Sequence, residues 1–336
     1  MNSEKYQTGT VVTLQHCSEI LKNNPLGDAH IRDVIVYLPP DYDENQSYPT
    51  VYALAGFTGR GRMMLNDAAF TPNFAERMDK LIAEGKIKPM IAVLPDCFTH
   101  YGGSQYINSS ATGNYEDYLI KEIVPFVDEN FRTIKDKNSR AVIGKSSGGY
   151  GALMMAMRHA DTFGLACSTS GDCGFNYCYL PDLPKAFRAI KGKPKEFVEK
   201  FWDETAKKSK DDFSGLNIIG MSACYSPNPE SEYGFDLPFD LQTGGINSDV
   251  WIRWIRHDPI FVMDMDRNIE NLKSLKLLYI DAGTRDEFAL DVGARILSQR
   301  LKEAGISHIH EEFDDGHFNI SYRTNRSLEM ISQHFG

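Results

Sequence analysis

Gly144-Lys145-Ser146-Ser147-Gly148 lies between a short apolar run, Ala141 to Ile143, and a helical pattern that begins Gly149-Tyr150-Gly151-Ala152-Leu153-Met154. A serine on a sharp strand-to-helix turn exposes its hydroxyl, and glycines on either side let the neighbouring backbone close in on it. The register selects Ser146 as nucleophile, because centring the turn on Ser147 would put Lys145 where glycine is needed. The N-terminus of the following helix favours negative charge at this point. Gly144-Lys145-Ser146 also matches the end of a nucleotide-binding loop, G-x-x-x-x-G-K-[ST]. Ser139 stands at the leading glycine position, however, and Ala141 to Ile143 reads as strand where the loop should be, which sets that reading aside.

A serine hydroxyl needs a base, and the base needs an acid to orient it. With a strand-turn-helix nucleophile the expected chain order is Ser, then Asp or Glu, then His. Asp286 follows an apolar run in Gly283-Thr284-Arg285-Asp286-Glu287-Phe288, with Glu287, Asp281 and Asp291 as alternative acids. His317 follows the next apolar run, in Asp314-Asp315-Gly316-His317-Phe318, and is the histidine of the nine whose place suits the base. A developing oxyanion would take the backbone N–H of Ser147 and one from the turn Gly56-Phe57-Thr58-Gly59; Phe57 is the candidate second donor. Candidate pocket residues are Phe57, Tyr150, Trp251 and Trp254. The two tryptophans are three apart, as on one helical face, and either pack inward or line an acyl pocket.

These residues need a rigid frame. Strand-like runs at Ile31 to Leu38, Thr50 to Ala55, Met90 to Leu94, Ala141 to Ile143 and Leu165 to Thr169 alternate with helical patterns at Asn73 to Glu84 and Tyr115 to Asn130. That alternation predicts an α/β fold with a mostly parallel central sheet flanked by helices. It stops from Asp172 to about Val262 and resumes with strands at Leu275 to Asp281 and Ile309 to Phe313, and helices at Val292 to Ala304 and Ile320 to His334. The expectation is one domain over 1–336 with an inserted lid at 172–262. Fifteen of the insertion's 91 residues are aromatic, about 16% against 11% overall, which suits either an apolar acyl pocket or a small core of its own.

Composition narrows the function classes. The 336 residues are 42% hydrophobic and 24% charged, with 27 glycines and 15 prolines, which excludes a disordered or fibrous chain. A net charge of −10 argues against a nonspecific grip on nucleic acid or anionic lipid, while leaving room for a small local basic pocket. No apolar run approaches a membrane span and the opening decapeptide is too polar for a signal peptide, so the expected location is cytoplasmic. The six cysteines contain no Cys-x-x-Cys pair and are expected as buried thiols; no metal or cofactor is called for. The partner is a small-molecule ester, with a homo-oligomer left open.

Taken together, the Ala55-Gly56-Phe57-Thr58 turn, the G-x-S-x-G-G elbow, the Gly-Thr-x-Asp-Glu-Phe loop and the Gly-His loop resemble the putative-esterase branch of the α/β-hydrolases. That branch includes S-formylglutathione hydrolases, feruloyl esterases, enterochelin esterases and mycolyltransferases. The resemblance covers about residues 30 to 170 and 275 to 335. It implies an α/β-hydrolase fold and a serine esterase with Ser146, Asp286 and His317 as triad, oxyanion donors at Phe57 and Ser147, and no cofactor. An acyltransferase and a non-catalytic binding protein of the same fold are the alternatives. The chain departs from many relatives at Lys145 and Ser147, where His and Met are common.

Overall fold

Five-residue runs such as Thr50–Leu54, Ile91–Pro95 and Leu165–Thr169 are buried along their whole length, as strands covered on both faces must be. The computed structural model describes residues 6–335. Eight strands form one sheet: β1 (Thr10–Cys17), β2 (Ile31–Leu38), β3 (Thr50–Leu54), β4 (Ile91–Pro95), β5 (Arg140–Lys145), β6 (Leu165–Thr169), β7 (Leu277–Gly283) and β8 (Ile309–Phe313). Their spatial order is β1-β2-β4-β3-β5-β6-β7-β8. β1 with β2 and β2 with β4 pair antiparallel; the remaining pairs are parallel. The carboxyl ends of β3, β5, β6, β7 and β8 therefore open on one edge, where α/β sheets bind ligands.

The helices are α1 (Phe74–Ala83), α2 (Val124–Asn130), α3 (Ser147–Arg158), α4 (Leu183–Ile190), α5 (Pro194–Trp202), α6 (Lys210–Tyr225), α7 (Ser248–Ile255), α8 (Asp266–Lys273), α9 (Leu290–Glu303) and α10 (Arg323–His334), with shorter turns between them. α1 begins at a reciprocal cap in which the Asn73 side chain accepts from the N–H of Glu76 and Glu76 accepts from the N–H of Asn73. α1 and α10 cover one face of the sheet through Phe74, Met78, Leu328 and Ile331. α2, α3 and α9 cover the other, and the hydrophobic cluster on that face runs without a break into Leu183, Phe197, Leu216 and Trp254 of the inserted helices. The insertion thus shares the main core rather than building a separate one.

Three local outcomes differ from the sequence expectation. β1 was not anticipated; as an edge strand it alternates exposed and half-buried residues and carries too few apolar side chains to stand out. The Tyr115 to Asn130 segment is helical but loosens into a π turn over Tyr118–Ile123 before α2. Cys17, on β1, is exposed, whereas the other five cysteines are buried thiols. No helix among the described residues is long and apolar enough to cross a membrane.

Candidate active site

β5 ends at Lys145 and α3 starts at Ser147, which leaves Ser146 alone at the turn with φ 58° and ψ −127°. This left-handed backbone is strained for a residue with a Cβ and persists because its surroundings fix it. A Cβ on Gly148 would lie 2.1 Å from the Leu54 carbonyl oxygen, and one on Gly144 would lie 2.2 Å from the Gly148 backbone. Only glycine lets β3, β5 and α3 approach this closely. Ser146 N–H donates to the Thr169 carbonyl at 3.0 Å, which ties the turn to the end of β6.

The loops after β7 and β8 bring Asp286 and His317 to the same edge. Ser146 Oγ lies 3.1 Å from His317 Nε2, and His317 Nδ1 lies 2.9 Å from Asp286 Oδ2. Burial pushes the Asp286 carboxyl up, but the hydrogen bond and charge of His317 and the N–H of Phe288 outweigh it and hold the carboxyl below its ordinary range. An ionised carboxylate can only accept, so Nδ1 carries the hydrogen, and Nε2 is left to accept the Ser146 hydroxyl proton. Phe288 and Phe318 stand edge-on to the imidazole at 4.9 and 5.4 Å between centroids. Glu287, an alternative acid by sequence, accepts the backbone N–H of His317 at 2.6 Å instead of reaching the ring.

The turn after β3 faces the elbow. A Cβ on Gly56 would meet the Lys145 carbonyl oxygen at 3.3 Å and the Ser146 Cβ at 3.5 Å. Among the described residues neither the Phe57 nor the Ser147 N–H donates to a protein acceptor, which leaves both amides available to an external acceptor. The Phe57 ring packs beside Gly102 and against Gly220 of α6, where an added Cβ would lie 2.6 Å and 3.0 Å from it. The insertion therefore touches the turn that carries Phe57.

Two expected pocket residues lie elsewhere. Tyr150 is fully buried, with its hydroxyl donating to the His257 carbonyl and its ring against Phe175 and Tyr225. Trp254 is also fully buried, packed edge-on to Tyr179 and Tyr225, and its indole N–H donates to Ser226 Oγ at 2.9 Å. Their polar atoms are satisfied inside the core, so both build the scaffold and not a pocket wall. Trp251 is half-buried at the margin of this cluster and donates its indole N–H to Asn176. Phe57, half-buried beside the elbow, is the expected pocket residue that reaches the site.

Sequence reasoning missed two polar residues here. Asp172 Oδ2 accepts from Gln105 Nε2 at 3.0 Å, Tyr179 OH at 2.9 Å and Ser147 Oγ at 3.2 Å, and burial pushes its carboxyl above the ordinary range. As the first residue of a motif-free stretch it gives no sequence signal. Lys145 is half-buried beside Ser146 with its ammonium 5.9 Å from the Phe318 ring centroid. Its presence in the elbow, where relatives commonly have His, was the available hint.

A family model described as "Putative esterase" matches residues 29–324. The chain belongs to this esterase family. An endo-1,4-beta-xylanase/feruloyl esterase of Xylanibacter ruminicola is 36% identical over 114 residues, 34% of this chain and 15% of that protein, so the chain spans only a small part of that relative. A solved ferulic acid esterase superposes with a TM-score of 0.63 at 20% identity, covering 98% of this chain and 100% of that one. An S-formylglutathione hydrolase from Agrobacterium tumefaciens gives a TM-score of 0.59 at 15% identity, with 99% and 98% covered. At these identities the two structures show that the chain shares their fold.

Proposed function

We propose that the protein hydrolyses carboxylic esters through an acyl-enzyme on Ser146. The observation that carries this reading is the unbroken path from Ser146 Oγ to His317 Nε2 and from His317 Nδ1 to Asp286 Oδ2. His317 takes the hydroxyl proton as Ser146 Oγ bonds to the ester carbonyl carbon, and the N–H groups of Phe57 and Ser147 stabilise the oxyanion. The tetrahedral intermediate collapses as the carbon–oxygen bond to the alcohol breaks and His317 protonates the leaving oxygen. Water, deprotonated by the same imidazole, then attacks the acyl-enzyme and releases the acid. The chain's own groups supply each of these roles.

Aromatic or apolar acyl groups are the proposed substrates. Phe57, Phe288 and Phe318 stand around Ser146 and His317, and the matched relative's name includes a feruloyl esterase. The 172–262 insertion is proposed to act as a lid that shapes this pocket, a role supported by the contact between Gly220 and the Phe57 ring. A fluorophosphonate probe should label Ser146, and a panel of alkanoyl and aryl esters should be turned over with release of the free acid. Absence of both labelling and turnover would return the fold to a binding role. Product that appears only with added alcohol would make the protein an acyltransferase.

A further inference from the structure

Residues with a Cβ and a positive φ gather around the proposed oxyanion donors. Thr58 (φ 62°) follows Phe57, and Ser146 (φ 58°) precedes Ser147. The loop after β4 adds Gln105 (φ 52°) and Tyr106 (φ 56°), the one adjacent non-glycine pair of this kind among the described residues. They are the central residues of a tight turn closed by the Ile107 N–H on the Ser104 carbonyl at 3.3 Å. Positive φ at both central positions ordinarily selects asparagine and glycine, because a Cβ raises the energy of this backbone. A glutamine and a tyrosine in its place must be held there by what their side chains touch.

Both side chains are buried, and each reaches a different half of the oxyanion site. Tyr106 OH donates to the Ala55 carbonyl at 2.7 Å, and Ala55 leads through Gly56 to Phe57. The Tyr106 ring lies against Gly151 of α3, where an added Cβ would stand 2.5 Å from it. Gln105 Nε2 donates to Asp172 Oδ2 at 3.0 Å, and the same oxygen accepts from Ser147 Oγ at 3.2 Å. The amide also donates to Tyr225 OH at 2.7 Å, which anchors it to the end of α6. A further bond, from the Thr58 N–H to the Gly102 carbonyl at 2.7 Å, ties the Phe57 turn to the same loop. The β3–β5 ladder ends at the Leu54–Gly144 pair, before either donor, so contacts beyond the sheet have to set the separation of the two N–H groups.

We infer that the Gln105–Tyr106 turn sets the distance between the Phe57 and Ser147 N–H groups, and that its strained backbone is kept because this distance governs how well an oxyanion is held. The inference rests on the esterase reading above. Among the described residues neither Gln105 nor Tyr106 hydrogen-bonds to Ser146, His317 or Asp286, so both are positioning residues. Removing an oxyanion donor outright costs about 10²–10³ in kcat, and a donor displaced but still present should cost less, about tenfold.

Two variants test it. Tyr106→Phe deletes the bond to Ala55 and keeps the ring, while Gln105→Met keeps the length of the side chain and deletes the bonds to Asp172 and Tyr225. Titration with a fluorophosphonate first counts reactive serines, so that kcat for phenyl acetate is expressed per active site. Each variant should lose about tenfold in kcat, with KM changed by less than about twofold. Inhibition by phenethyl trifluoromethyl ketone should weaken by the same factor: Ser146 Oγ adds to its carbonyl carbon, the hydroxyl proton passes to His317, and the ketone oxygen becomes the oxyanion. Inhibition by phenethyl methyl ketone, which stays trigonal, should not change. The double variant should lose about as much as either single one, since releasing one end already frees the distance. Unchanged kcat per labelled serine in Tyr106→Phe, equal weakening of both ketones, or losses that multiply in the double variant would each overturn the inference. If Gln105→Met does not fold, Tyr106→Phe and the two ketones decide the point alone. Failure of the esterase reading would appear separately, as neither labelling nor phenyl acetate hydrolysis by the wild-type protein.

Discussion

Glu287 and His317 are joined through the backbone: Glu287 Oε2 accepts the His317 N–H at 2.6 Å and leaves the imidazole to Asp286, whose Oδ2 lies 2.9 Å from Nδ1. Two adjacent acids thus hold one histidine at two atoms, and the two attachments should separate in kinetics. Asp286→Asn removes the charge that fixes the tautomer and stabilises the imidazolium, and should lower kcat by roughly 10³–10⁴-fold. Glu287→Gln keeps an acceptor for the backbone N–H and should cost roughly tenfold or less. Steady-state assays on both variants decide it, and the reverse ranking would transfer the acid to Glu287.

Ser146→Ala should abolish phosphonate labelling and lower kcat by a factor on the order of 10⁶, with the residue arising from the oxyanion site and binding alone. The melting temperature should stay close to wild type, because one half-buried hydroxyl at a turn contributes little packing. Ser147→Ala should remain labelled. Mass spectrometry of the modified peptide distinguishes the two serines, and a label on Ser147 would shift the register of the elbow by one.

Much of this arrangement was legible in the sequence because it depends on chain order and glycine. β6 and β8 fall on the expected residues, and α1 lies within the expected Asn73 to Glu84, since apolar runs are local signals. Ser146, Asp286 and His317 could be proposed together because each follows a strand that must open on one edge. What stayed hidden was long-range. Asp172 meets Gln105 and Ser147 only after three separate segments fold together, and no spacing announces it. Trp251 and Trp254 show by spacing that they share a helix face, but not that this face turns to the core.

The buried Asp172 gives a pH signature. Its carboxyl is raised by desolvation, against the lowering pull of Gln105, Tyr179, His317 and Ser147. A raised acid contributes its full stability below its unfolded pKa and loses it as pH rises through the folded pKa. Asp172→Asn cannot ionise, so its stability relative to wild type should improve as pH rises from about 4 through neutrality. Urea unfolding of both proteins across this range tests it. A gap that is independent of pH would mean that Asp172 titrates as an ordinary surface carboxylate.

The opposite sign is expected at Glu311. Its carboxyl bonds to Arg326, to Tyr279 at 2.8 Å and to Arg323 at 3.0 Å, tying β7 and β8 to α10 behind the loop that carries His317. Arg326 first, with Tyr279 and Arg323, outweighs burial and holds the carboxyl down at about 2. A depressed acid contributes stability above its unfolded pKa and loses it as pH falls through the folded value. Glu311→Gln should therefore be less stable than wild type by about 1–3 kcal/mol at pH 6. That difference should close between about pH 4.5 and 2, as followed by thermal melts.

Trp251 and Trp254 should part company when truncated, although both stand on α7 with ring centroids 5.5 Å apart. Trp254 has no exposed surface and packs on Tyr179 and Tyr225. Trp254→Ala leaves a large cavity and removes the indole N–H that Ser226 Oγ accepts, while the hydroxyl still donates to the Asp236 carbonyl, and should cost about 3–5 kcal/mol. Trp251 keeps part of its ring in solvent and its N–H on Asn176, so Trp251→Ala should cost about 1–2 kcal/mol. Because Trp254 packs edge-on against Tyr225 and Tyr179, and Tyr179 bonds to Asp172, which also accepts from Ser147, its loss should also lower kcat for every ester alike. A change in the preferred acyl chain length in folded Trp254→Ala, with kcat on the best ester retained, would instead place this indole at the pocket and not beneath it.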